Sequence, residues 1–153
     1  MFNLIITFLA SFLIWFMFAG LIILWLINGK ITKEQALHAL FSALIAWVIA
    51  QMIKNIFPTP RPFELDGTIP MTISVPQDGA FPSGHAALVF GLSTSIWLHD
   101  KKLGLIFVIS AILVAWARVV GNVHYLTDIF GGALLGIVTS YTLEKLHLQK
   151  LIK

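Results

Sequence analysis

No charged side chain occurs before Lys30, and from Phe2 to Ile27 the chain is almost continuously apolar. About 20 such residues in a helix cross the ~30 Å hydrocarbon layer of a bilayer, so this run is long enough to span one. A cleaved secretory leader is the competing reading. It is weakened by the missing basic start, an apolar stretch longer than a leader needs, and no small-residue cleavage pattern. The remaining chain agrees with a lipid setting. Of 153 residues 58% are hydrophobic and 11% charged, with mean hydropathy +0.91, whereas a soluble domain carries roughly 25% charge. Most of this surface must face something other than water. The length suits a single domain over 1–153. With no cysteine, disulfides and thiolate metal sites are excluded, and a net charge of +3 is too small to indicate a nucleic-acid partner.

Four further apolar segments follow. The second span runs from about Ala36 to Phe57, where Pro58 and Pro60 stop it. A Pro-, Gly-, Asp- and Thr-rich loop covers 58–82. The third span opens at Pro82-Ser83 and continues to Leu98, the fourth covers Leu103 to Val120, and the fifth runs from His124 to Leu143. A basic amphipathic tail, Glu144 to Lys153, closes the sequence. The expected fold class is therefore all-α, a polytopic membrane bundle of about five transmembrane helices.

Charge placement orients it. Alternate loops put Lys30, Lys33, Lys101, Lys102, Lys145, Lys150 and Lys153 on one side, seven of the ten basic residues. Positive-inside bias makes that side cytoplasmic, with the C-terminus. The other side holds the 58–82 loop and the 118–127 turn, and its only basic residues are Lys54, Arg61 and Arg118. Ionisable groups at membrane depth are costly and usually mark function. The bland alternative, snorkelling from helix ends, is outweighed by what accompanies them.

The same side gathers Pro82-Ser83-Gly84-His85 at the start of the third span, and His124 with Asp128 at the start of the fifth. Three cations can neutralise a phosphate dianion, and the arginines offer forked donors matched to its oxygens. Ser83 and Gly84 stand where a helix begins, and free N–H groups there favour an anion. His124 is the better nucleophile, because Asp128 four residues on, expected on the same helical face, can hold the opposite ring nitrogen. His85, beside the anion-binding helix start, is the better general acid.

These residues resemble a known family. Lys54, six residues, Arg61-Pro62; then Pro82-Ser83-Gly84-His85; then Arg118, five residues, His124, three residues, Asp128: in order and spacing they look like the three signature motifs of the type 2 phosphatidic acid phosphatase superfamily, which includes the vanadium haloperoxidases. The resemblance implies a phosphatase/haloperoxidase-like helical core. It implies that Lys54, Arg61, Ser83, Gly84 and Arg118 hold the phosphate. His124 would attack through a phosphohistidine, with Asp128 its partner and His85 the general acid, and neither metal nor other cofactor would take part. The implied activity is hydrolysis of a lipid phosphomonoester or diphosphate at the outer face of the cytoplasmic membrane. Undecaprenyl diphosphate is the expected substrate, with phosphatidylglycerophosphate, phosphatidate and lipid A as alternatives. A non-catalytic lipid-phosphate binder or transporter is the alternative of another class. Two departures stand out: Ala117 occupies the place of the family's serine, and five spans replace the usual six.

Other features have plainer readings. His38 is expected to be a helix-surface or packed residue, and His99 and His147 to lie in cytoplasmic polar regions. Glu64, Asp66 and Asp78 flank Gly67 and Gly79 and are assigned to turn chemistry. A metal centre of His85, His124 and Asp128 is opposed by the three nearby cations. The GxxxG spacing of Gly132 and Gly136 suits close helix packing, within the monomer or in a homo-oligomer. Uncharged cores near 15 residues in the last three spans, roughly 23 Å long, predict a pocket slightly below the outer headgroup plane.

Overall fold

A computed structural model describes residues 1–151, with side chains through Leu146, and among them every regular element is a helix. The elements are α1 (Phe2–Ser11), α2 (Leu13–Ile27), α3 (Lys33–Ile56), α4 (Pro62–Asp66), α5 (Gly84–His99), α6 (Lys101–Val120) and α7 (Leu126–Leu151). Local chemistry sets their starts. Thr32 and Gln35 form a reciprocal capping box at α3. The Ser83 hydroxyl accepts from Ala86 N–H at α5, and Asp100 caps α6 through Leu103 N–H.

α5 lies at the centre, packed against α3, α6 and α7. Its buried residues, among them Gly84, Ala86, Ala87, Gly91, Ser93 and Ser95, are mostly small and surround the helix. That composition permits the close backbone approach that drives packing in lipid, where apolar burial distinguishes little. α7 uses it directly. A Cβ on Gly132 would collide with Ser83 O, and one on Gly136 would stand 2.5 Å from Ala87 O and from Gly91 N. The GxxxG spacing thus serves the intramolecular contact between α7 and α5. On α3 the buried face is an alanine stripe, Ala36, Ala39, Ala43, Ala46 and Ala50, and Lys54 continues it one turn further.

Among the described residues three helices are long and apolar enough to cross a membrane: Lys33–Ile56, Lys101–Val120 and Leu126–Leu146. The Phe2–Ser11 and Leu13–Ile27 pair makes up to a fourth, bent by 46°. The expected single helix from Phe2 to Ile27 is therefore broken at Phe12. Neither proline nor glycine sits there; the Ala10 carbonyl instead accepts from Arg118 Nη1 at 3.3 Å, and Ser11 Oγ from Ile73 N–H at the same distance. α5 has 16 residues, roughly 24 Å against the ~30 Å hydrocarbon, and is wrapped by its neighbours rather than by lipid. Nor is the C-terminal segment a separate tail: α7 runs on to Leu151, with Glu144 inside it. The side chains of His147, Lys150 and Lys153 lie outside the described set.

Candidate active site

The alanine stripe of α3 carries Lys54 into the bundle, where it is 4% exposed. Its Nζ lies 2.8 Å from Asp78 Oδ2, in the loop after α4. Arg61 meets the same carboxylate. It precedes α4, whose first turn is capped by Glu64 accepting from Arg61 N–H at 2.7 Å. Its guanidinium is 1% exposed and every N–H is engaged: Nε donates to Asp78 O, Nη2 to Asp78 Oδ1 and Gly79 O, and Nη1 to Val123 O and toward His124 Nε2 at 3.3 Å. Burial alone would raise the Asp78 carboxyl, but the hydrogen bond and charge of Lys54 and the adjacent Arg61 hold it down to about 2. It is an ionised bridge between two cations.

The 121–123 turn is fastened to the same loop. Asn122, in left-handed conformation (φ 60°), donates to Asp66 Oδ2 and Thr68 Oγ1, and its carbonyl accepts from Phe63 N–H. His124 follows, 2% exposed, ahead of α7 rather than within it. Its Nδ1 stands 3.3 Å from Asp128 Oδ2, which also accepts from Tyr125 N–H at 2.8 Å. The expectation that helical spacing alone would align the pair is thus corrected: the carboxylate folds back over the turn that starts α7.

A guanidinium has no acceptor, so the nitrogen facing Arg61 must present its lone pair. The ring therefore carries its proton on Nδ1, donated to Asp128, and leaves Nε2 unprotonated with its lone pair toward Arg61 Nη1. Burial lowers the His124 pKa from its usual 6.5, the Asp128 hydrogen bond opposes this, and the charges of Arg118, Arg61 and Lys54 lower it further. The imidazole is neutral at pH 7.

Asp128 acts through its backbone as well: its carbonyl accepts from Ser83 N–H at 2.9 Å, pinning the start of α5 beside His124. Gly84 faces Trp47 and Gln51, with 3.2 Å from a Cβ at that position to the indole. His85, one residue on and half-buried, lines a cleft of about 260 Å³ with Ile14, Trp15, Phe18, Trp47 and Leu88. Arg118, in the last turn of α6, is 5% exposed; Nη1 takes Ala10 O, and its buried Nε has no partner among the described residues.

A family model described as "PAP2 superfamily" matches residues 35–150. The chain belongs to that superfamily. "Bacitracin transport permease protein BcrC" of Bacillus licheniformis is 28% identical over 92% of this chain and 69% of its own length. "Undecaprenyl-diphosphatase" of Sulfolobus acidocaldarius is 31% identical over 73% of this chain and 55% of its own. The crystal structure of Aquifex aeolicus LpxE superposes with TM-score 0.75 at 26% identity, covering 94% of this chain and 84% of that one.

All eight expected site residues fall at one end of the bundle. Lys54, Arg61 and His124 join one chain of contacts through Asp78, Ser83 joins it through Asp128, and Arg118 reaches instead to α1. At the position of the PAP2 serine, Ala117 is fully buried against Ile6 and Ala10, so a methyl packs there without leaving a polar gap. Asp78 is the residue sequence reasoning missed. Glu64 and Asp66 do turn chemistry as expected, but Asp78 instead balances both cations of the first motif. The available signal was its solitude: the only acid between Asp66 and Asp100, four residues before Pro82-Ser83-Gly84-His85 and in the loop that follows Arg61.

Proposed function

We propose that this chain is an integral-membrane lipid phosphatase whose substrate is undecaprenyl diphosphate, converted to undecaprenyl phosphate. The observation that carries the reading is the position of His124 between Arg61 and Asp128, with Nε2 3.3 Å from the guanidinium and Nδ1 3.3 Å from the carboxylate. Membership of the PAP2 superfamily and relatives named undecaprenyl-diphosphatase support it. So does the apolar cleft that begins at His85, since a lipid brings its tail alongside its phosphate.

In this reading Nε2 of His124 attacks the terminal phosphorus as the bond to the bridging oxygen breaks. His85 protonates that oxygen as it leaves, and Asp128 stabilises the imidazolium. Water then attacks the phosphohistidine, His85 takes its proton, and inorganic phosphate departs with His124 restored. Lys54, Arg61, Arg118 and the N–H groups at Ser83 and Gly84 bear the charge of the transferring phosphoryl. The vacant donor on Arg118 Nε suits a phosphate oxygen. Because every Arg61 N–H is engaged, the substrate gains that guanidinium by displacing acceptors: the Asp78 carboxylate is the exchangeable one on Nη2, and the Nη1 contact to His124 Nε2 is given up as that nitrogen attacks. No metal is assigned a part in these steps.

The chain crosses the bilayer five times as a single domain, with α1 and α2 as one bent span and α5 as a short one. Its active site faces outward and its C-terminus lies in the cytoplasm. Lysines at the opposite end of the bundle support that orientation. Exposed Ile69, Ile73 and Val75 in the long loop suit contact with headgroups.

Purified protein in detergent should release phosphate with chelator present, faster from undecaprenyl diphosphate than from phosphatidylglycerophosphate or phosphatidate, and His124→Ala should abolish release. Undiminished release by that variant removes the nucleophile. A relative named as a transport permease keeps a binding-only role in view, and that role predicts lipid-phosphate binding without turnover.

A further inference from the structure

The far end of the bundle carries a second cluster that the phosphatase reading does not use. His38 near the start of α3, His99 at the end of α5 and Glu144 in the last turns of α7 converge, with one donor atom from each lying within 4.8 Å of the others. Along each helix the motif residues are distant: 16 positions from Lys54 back to His38, 14 from His85 to His99 and 16 from Asp128 to Glu144. At 1.5 Å per residue that is roughly 21–24 Å, so the two clusters sit at opposite faces of one helical core.

We propose that His38, His99 and Glu144 form a binding site for a divalent transition-metal ion of zinc type, tying together the inner ends of α3, α5 and α7. Two imidazoles and a carboxylate are an established zinc donor set, with a fourth position left to water. The spacing fits. With bonds of about 2.0–2.1 Å, two donors in a tetrahedral shell stand roughly 3.3 Å apart. Glu144 Oε2 lies 3.3 Å from His99 Nε2 and 3.6 Å from His38 Nδ1. The two imidazoles then need only side-chain rotation to close.

Burial and charge agree. The side chains are 11–21% exposed, sheltered yet within reach of an aqueous ion. Their net charge is negative when both rings are neutral, the reverse of the three-cation cradle at the other end. A supporting partner is at hand, and an amide flip would bring it into use. The Gln35 amide lies 3.2 Å from His99 Nδ1 and holds the ring with Nε2 toward Glu144. Metal on Nε2 requires the ring proton on Nδ1, so the amide turns its oxygen inward, giving up its hydrogen bond from Thr32 N–H.

The site ties together three helices whose opposite ends carry Lys54, His85 and Asp128, so occupancy stabilises the packing that assembles the phosphate pocket without touching the reacting atoms. The test uses untagged, full-length protein in detergent, stripped with chelator and titrated with Zn²⁺ against a chromogenic competitor. One ion per chain is expected, with a raised melting temperature. Affinity should fall by at least about 10–100-fold, the scale for losing even an outer-shell partner, in Glu144→Gln and in His38→Ala, and be retained in His124→Ala.

Binding that survives both substitutions, or that is lost in His124→Ala, overturns the assignment. So does the absence of stoichiometric binding, which leaves a plain hydrogen-bonded trio. In case a variant does not fold, the wild-type chain supplies a second readout. Zn²⁺ should protect His38 and His99 from diethyl pyrocarbonate, mapped by mass spectrometry, and unchanged labelling of both refutes the site.

Discussion

Lys54 Nζ and Asp78 Oδ2 stand 2.8 Å apart, joining the last turn of α3 to a loop 24 residues further on. The same carboxylate binds Arg61 Nη2 at 2.7 Å. The two cations expected to receive phosphate therefore already hold an anion supplied by the protein. Neutralising Asp78 as Asp78→Asn should strengthen competitive inhibition by inorganic phosphate by roughly threefold to tenfold, the scale of one competing unit charge in a partly solvated site. It should also lower the melting temperature, because Lys54 and Arg61 would stay buried with less compensation. Weaker phosphate inhibition would show that Asp78 aligns the cations and does not compete with substrate.

Asp128 holds the proton of His124 on Nδ1. In Asp128→Asn the side-chain amide can donate to that nitrogen, which favours the tautomer with Nε2 protonated. Turnover should fall by up to about 10⁴-fold, the loss seen when a triad carboxylate becomes an amide, with little change in melting temperature. A near-normal turnover would mean that Arg61 alone sets the tautomer.

The neutral form of His124 is the competent one, and burial with the surrounding cations places its pKa below 6.5. The sign follows directly: protonation on the acid side removes the nucleophile. The kcat/KM profile should stay level at and above pH 6.5 with respect to this group and decline only below it. Arg118→Gln removes one of the depressing charges and should move that decline toward higher pH, alongside its loss of phosphate binding.

Gly136 touches α5 at backbone. A methyl there meets Ala87 O and Gly91 N at 2.5 Å, and neither can yield without separating α7 from α5. Gly136→Ala should cost about 1–3 kcal/mol, the usual range for overpacking, and activity should fall with it because the Asp128–Ser83 backbone bond spans the same interface. Gly20→Ala, whose new methyl would meet only the Phe107 ring at 3.3 Å, should be close to neutral. Equal melting temperatures for the two variants would refute this account of the glycine spacing.

The legible parts of this protein are those written along a single element. The apolar segments give the helices, since each helix satisfies its own backbone in lipid. Proline and capping residues place their ends to within a few positions. The three motifs could be read as one constellation because spacing and membrane side together bring Lys54, Arg61, Ser83, His85, His124 and Asp128 to one face. Breaks and tails were less legible. Phe12 interrupts α1 and α2 through Arg118 donating to Ala10 O, a contact 108 residues apart in sequence.

Sequence alone thus determined which segments are helical, that Lys54, Arg61 and Arg118 gather at one end of the bundle and that His124 has a carboxylate four residues on. Tertiary packing decided that Asp78 bridges Lys54 and Arg61, that His124 precedes its helix with Nε2 toward a guanidinium, and that His38, His99 and Glu144 meet. The reason is geometric. Periodicity and caps act between neighbours on one helix, whereas these encounters depend on how closely small residues let separate helices approach, a property of pairs of surfaces that no single segment encodes.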